Sequence, residues 1–164
     1  MTVMSTNVDR EALTLTMVCE FAASRERVWR LWSDPRQLEQ WWGPPGWPAT
    51  VTSHDFTVGG RAEYHMTGPE GEISAAWMRF TELDEPHRVR FDEGFSHDDG
   101  TENPQLPVGE CEVRFDALDD ARTRMTVAFH YTSLPDFDLV VGMGMVEGIT
   151  AAAGQIEGVL EGAA

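Results

Sequence analysis

The feature that most constrains this chain is a period of two. Seven stretches, residues 13–21, 49–58, 61–66, 72–83, 88–95, 109–118 and 123–133, alternate apolar and polar side chains or nearly so. In LTLTMVCEF, Leu13, Leu15, Met17, Cys19 and Phe21 point one way, and Thr14, Thr16 and Glu20 the other. Such alternation buries one face of a strand and wets the other, which is the habit of antiparallel sheets. Turn residues separate the stretches: Gly59-Gly60, GPEG at 68–71, DEPH at 84–87 and DDAR at 119–122. HDDGTENPQLP, 97–107, reads as a polar loop.

Two regions leave the period. After the first strand, Ser24 offers an N-cap, and Val28, Leu31 and Trp32 recur at helical spacing. Asp34-Pro35 begins a second short helix that carries Leu38, Trp41 and Trp42. WWGPPGW, 41–47, cannot continue it, because Pro44 and Pro45 lack N–H groups. Its three indoles therefore need cover elsewhere, with Trp47 at the rim. Near the other end, 137–160 reads as one long helix with a stripe of Met145, Ile149, Ala152, Ala153, Ile156 and Leu160. Residues 1–10 read as a disordered polar tail and 11–164 as a single domain. A sheet of seven strands must cover one face, and only the last helix is long enough to do so. The fold class is therefore α+β, a curved seven-stranded antiparallel sheet gripping a long C-terminal helix, with two short helices after the first strand.

Charge and motifs narrow the chemistry. The net charge is −16 and all twelve basic residues are arginine. A chain without a basic cluster is a poor nucleic-acid partner, and without lysine it cannot form a lysine Schiff base. Cys19 and Cys111 lie in strand-like runs with no CxxC, as buried free thiols of a cytoplasmic protein do. The N-terminus lacks an apolar signal region, and no apolar run reaches the roughly 18 residues of a membrane span. LVVGMGMVEG, 139–148, imitates a dinucleotide-binding turn, but Glu147 stands where the third glycine belongs. His54, His65, His87, His97 and His130 show no metal-ligand spacing, and the carboxylates of HDDGTE at 97–102 read as a solvated loop. No cofactor, metal or catalytic residue is assigned.

Several phrases occur together in a pattern that resembles the START-like, helix-grip (SRPBCC) superfamily, in the branch named after the activator of the heat-shock-protein ATPase. They are FAASRERVWRLWSDP at 21–35, LEQWWGP at 38–44, VGGRAEYHMTGPEG at 58–71 and ELDEPHRVRF at 82–91. The resemblance spans about residues 13 to 161 and matches the order of elements already derived. The chain departs from it at Ala62, where relatives carry a bulky aromatic, and at Gly142, Gly144, Gly148, Gly154 and Gly158 in the last helix. Smaller side chains there suggest a roomier cavity or a more flexible lid.

The resemblance implies an apolar cavity between sheet and helix, of the 300–1,000 Å³ or so common to ligand pockets. Its candidate lining is Trp41, Trp42, Tyr64, Met66, Trp77, Phe91, Phe95, Val113, Phe115, Met125, Phe129, Met145, Ile149 and Ile156. Singly each is as good a core residue, and only convergence makes a site. The phase of strand 73–83 stays open: either Ser74, Ala76, Met78 and Phe80 face in, or Ala75, Trp77 and Arg79 do. Tyr64 is the best polar handle. The leading function is binding of an apolar small molecule: a lipid, an aromatic or a polyketide-like compound. The alternative is an aromatase/cyclase-type enzyme with Tyr64, His65, Glu93 or Arg79 as acid or base, although alternation sets His65 opposite Tyr64. A chaperone-partner role ranks third, since the namesake's separate domain has no room here. A homodimer through strand edges or the outer sheet face is left undecided.

Overall fold

A computed structural model describes residues 3–162. The strands are β1 (Val3–Asp9), β2 (Thr14–Phe21), β3 (Ala49–His54), β4 (Arg61–Thr67), β5 (Ile73–Asp84), β6 (Arg88–Ser96), β7 (Gly109–Asp119) and β8 (Arg122–His130). Helices α1 (Arg25–Ser33) and α2 (Pro35–Trp41) join β2 to β3, and α3 (Leu134–Gly142), α4 (Met145–Ala153) and α5 (Ile156–Gly162) follow β8. All eight strands form one antiparallel sheet in the order β1-β2-β8-β7-β6-β5-β4-β3. The fold is α+β with the helices on one face, as the sequence predicts, and it differs from that expectation in two places.

The first difference is the reading of 1–10 as a tail. Residues 3–9 form an eighth, edge strand, with Thr6 opposite Met17 and Val8 opposite Leu15, while residues 1–2 lie outside the described part. Positions 5 to 9 are all exposed, so no buried face imposes alternation on them. The hairpin closes where Asp9 Oδ1 accepts the N–H groups of Glu11 (3.1 Å) and Ala12 (3.0 Å). Leu13, expected on the strand, takes a left-handed turn conformation instead, at φ 54°.

The second difference is the long helix. It starts at Leu134, where Ser133 Oγ accepts from the Asp136 N–H, and it is broken into three. The axis bends by 57° between α3 and the stretch that follows. Gly144 makes the corner at φ +86°, a region that costs an L-side chain roughly 1–2 kcal/mol. Gly144→Ala should therefore lower unfolding stability by about 1–2 kcal/mol in urea titrations. Among the described residues, no single helix is long and apolar enough to cross a membrane.

The caps fall where the sequence puts them. Ser24 accepts from the Arg27 N–H, and Asp34 ends α1 and caps α2 ahead of Pro35. Trp32 then meets Trp41, Trp42 and Phe91 at ring separations of 5.0, 5.4 and 5.9 Å, while the Trp41 indole donates to the Leu31 carbonyl at 3.0 Å. Trp47 is half-buried, and a β-carbon on Gly68 would lie 2.8 Å from its ring. The indoles of WWGPPGW are thus covered by the helix pair, the sheet and one glycine.

Register settles the phase of strand 73–83. Tyr64 stands opposite Ala76, Ala76 opposite Phe95, and Phe80 opposite Phe91, so Ser74, Ala76, Met78 and Phe80 share the inner face. Trp77 faces outward, lies over Gly94, and is flanked by the guanidinium groups of Arg61 at 4.8 Å and Arg79 at 5.6 Å. Cross-strand ion pairs spread over that outer face: Arg79–Asp92 at 3.0 Å, Arg90–Glu112 at 2.6 Å and Arg124–Glu20 at 2.8 Å.

Candidate functional site

The helices do not fill the inner face evenly. α1 packs on β7 and β8, and α2 packs on β3 and α5. Under them Trp41, Phe91, Val113, Phe115, Met125, Phe129 and Ile156 are buried in the core and do not reach the cavity. Trp77, also a candidate lining residue, is excluded because its phase turns it to the other side of the sheet. Between β4–β6 and the α3–α4 corner a space remains, open to solvent and about 220 Å³ in volume. That is less than the expected pocket. Of the candidate lining residues, Trp42, Tyr64, Met66, Phe95, Met145 and Ile149 border it, with Ala76 and Gly148 giving it width.

Its polar groups are few and close together. The Tyr64 hydroxyl donates to Glu93 Oε2 at 2.6 Å. Gly109 faces Glu93 across the β6–β7 pair, and a β-carbon there would lie 2.6 Å from Tyr131 Cζ, so the missing side chain makes room for the Tyr131 ring. The Tyr131 hydroxyl reaches toward the Met145 sulfur at 3.6 Å. Trp42 is only 7 % exposed, and its indole N–H has no hydrogen-bond partner. It nevertheless lies near enough to the Tyr64 oxygen to favour the phenolate slightly.

Burial lifts the Glu93 carboxyl to about 7, and the Tyr64 hydrogen bond works against that rise. Glu93 keeps part of its surface toward the cavity mouth, so water trims the shift, but the apolar walls fix its direction. Tyr64 is pushed well up by burial first and by the Glu93 charge and hydrogen bond second. Tyr131 and Cys111 are raised by burial and then by Glu93, and burial alone takes Cys19 to about 12. Both cysteines are free and buried, hence neutral thiols rather than nucleophiles. A carboxyl poised near neutrality can hold a donor, hold a cation, or pass a proton.

Of the four acid or base candidates, Tyr64 and Glu93 meet in the cavity. His65 is on the opposite face of β4, and Arg79 points outward to Asp92. Glu93 and Tyr131 are absent from the predicted lining, yet the signal for Glu93 was present. In RVRFDEGF it shares the phase of Val89, Phe91 and Phe95. A carboxylate in the apolar phase of a strand is the informative exception. Among the described residues no group of three or more His, Cys, Asp or Glu side chains converges as a metal site would require.

Residues 22–161 match the family described as Activator of Hsp90 ATPase homolog 1-like protein. No curated protein matches the chain. Among solved structures, a protein from Arthrobacter aurescens is 45% identical, with a TM-score of 0.93 over 98% of this chain and 92% of that one. A Mycobacterium smegmatis protein is 42% identical, with a TM-score of 0.89 and 99% of both chains covered. A Staphylococcus epidermidis protein, only 20% identical over 96% of this chain and 94% of that one, shares the fold at a TM-score of 0.82. With the family's match running from the end of β2 into α5, and the helix-grip architecture in place, the chain belongs to the Activator of Hsp90 ATPase homolog 1-like family.

Proposed function

We propose that this protein binds a compact, mostly apolar small molecule in the space between β4–β6 and the α3–α4 corner, as a carrier or sensor in the cytoplasm. The observation that carries this reading is an open, apolar-walled cavity that contains the Glu93–Tyr64 pair. A few polar groups set in apolar walls are what orient a small molecule in such a pocket. The fold alone does not choose among functions, so the site must.

Ala76 is buried on the cavity wall, where a larger side chain takes ligand volume. Ala76→Leu should weaken binding of indole, a compact apolar probe, at least tenfold by calorimetry while the thermal midpoint holds or rises. Equal binding by the variant, or no saturable binding by the parent chain, would overturn the reading.

The Glu93–Tyr64 pair also favours a second reading, proton transfer beside a ligand carbonyl as in aromatase/cyclase chemistry. In that case Tyr64→Phe abolishes turnover of a polyketide mimic but retains its binding. A parent chain that binds the mimic without turning it over removes this second reading.

A further inference from the structure

We infer that the cavity's ligand carries a protonated amine, held by Glu93 as the single charged side chain in a wall of aromatic rings, thioethers and small residues. This rests on the small-molecule reading and narrows it. Among the described residues Glu93 forms no ion pair, and Tyr64 is the one hydrogen-bond donor that reaches it. The adjacent arginine on β5, Arg79, is turned to the outer face and is engaged by Asp92. The cation that would complete Glu93 must therefore come from outside the chain.

The remaining walls suit a cation and not an anion. Trp42, Tyr64, Phe95 and Tyr131 bring aromatic rings whose faces are electron-rich, and Met66 and Met145 bring polarisable sulfurs. A net charge of −16 concentrates cations around the protein and repels carboxylates, which argues against fatty acids. A cavity of about 220 Å³ limits the ligand to one ring and a short chain.

The groups facing Glu93 are Tyr64 from β4, Tyr131 just beyond β8 and Cys111 from β7, and burial keeps all three protonated over the range where Glu93 titrates. Acidification through pH 7 therefore neutralises Glu93 alone among them and releases an ammonium ligand.

Three probes of one shape test this: 2-amino-1-phenylethanol, 1-phenylethane-1,2-diol and mandelate. They are titrated by calorimetry, with the methyl signals of Met66 and Met145 reporting the location. At pH 8 the amine should bind at least tenfold more tightly than the diol, with mandelate weakest. Between pH 8 and pH 6 the amine should weaken about tenfold and the diol hardly at all. Glu93→Gln should erase the preference for the amine and spare the diol, and the pH series on the parent chain tests the same charge without a variant. If the diol binds in the cavity and the amine gains nothing, or if Glu93→Gln keeps the preference, the amine inference is wrong and the cavity reading survives. If no probe moves the two methionine signals, both fall.

Discussion

Trp32→Ala should cost about 3–5 kcal/mol of unfolding stability, measured as the shift in a urea midpoint at constant slope. Trp32 is 2 % exposed and sits at the centre of the ring cluster, with Trp41 and Trp42 edge-on to it and Phe91 tilted against it. Its indole N–H points at the Met125 sulfur at 3.4 Å, across 93 residues of sequence. The substitution removes a large buried ring and leaves a void that three other rings cannot close without leaving their own contacts. Because domains of this kind are stable by only about 5–15 kcal/mol, such a loss takes much of the margin. Trp32→Phe should lose less than half as much, since it keeps most of the ring volume. A loss below about 1 kcal/mol for the alanine variant would mean that α1 does not hold the sheet as described.

Glu93→Gln should stabilise the protein at pH 8 by about 2 kcal/mol, a rise of several degrees in thermal midpoint for a chain of this size. The sign follows from linkage. In the folded state Glu93 titrates at about 7 rather than at its ordinary 4.5, so between those values the folded protein binds more protons than the unfolded one. Its cost is absent below about pH 4.5, grows as pH rises, and is complete above pH 7. The full rise would correspond to about 3 kcal/mol, and water at the cavity mouth reduces it. Glutamine still accepts from Tyr64, so the hydrogen bond survives and only the charge is removed. The parent chain should therefore lose stability relative to the variant from pH 5 to pH 8, and the two should converge on acidification. Parallel stability curves across that range would mean that Glu93 is as well solvated folded as unfolded.

The sequence carried these elements unequally, for physical reasons. A strand with one wet face and one dry face announces itself by alternation, and so 61–66 put Tyr64 and Met66 in the cavity and His65 outside. Ser24 and Asp34-Pro35 were legible because helix starts need particular side chains. β1 was silent because residues 5–9 of this edge strand are exposed on both faces and so have no period to show. The helix breaks were only half legible: the glycines are plain in the sequence, but which of them takes a left-handed angle depends on how α3 meets the sheet. Trp77 misled because an aromatic ring signals burial without saying by what, and here the cover is Gly94 and two guanidinium groups. Seven of the predicted lining residues failed for a different reason. Inward phase places a side chain beneath the helices, and only the packing of α1, α2 and α5 decides where the space runs out.

The lattice of arginines and carboxylates on the outer face bears on how two copies could meet. Each of those pairs is half in water and contributes at most about 1 kcal/mol, so the fold hardly depends on them. Covering that surface with a second copy would strip their hydration and bring two strongly acidic bodies together, a penalty an ordinary interface would struggle to offset. Were two copies to join, the margins of the sheet would be favoured, where β1 and β3 each have a strand neighbour on one side only among the described residues. The β3 margin is broken midway, between Val51 and Ser53, whereas the irregularity of β1 lies at its start, between Val3 and Ser5. Residues 5–9 are therefore the straighter seam for strand-to-strand joining.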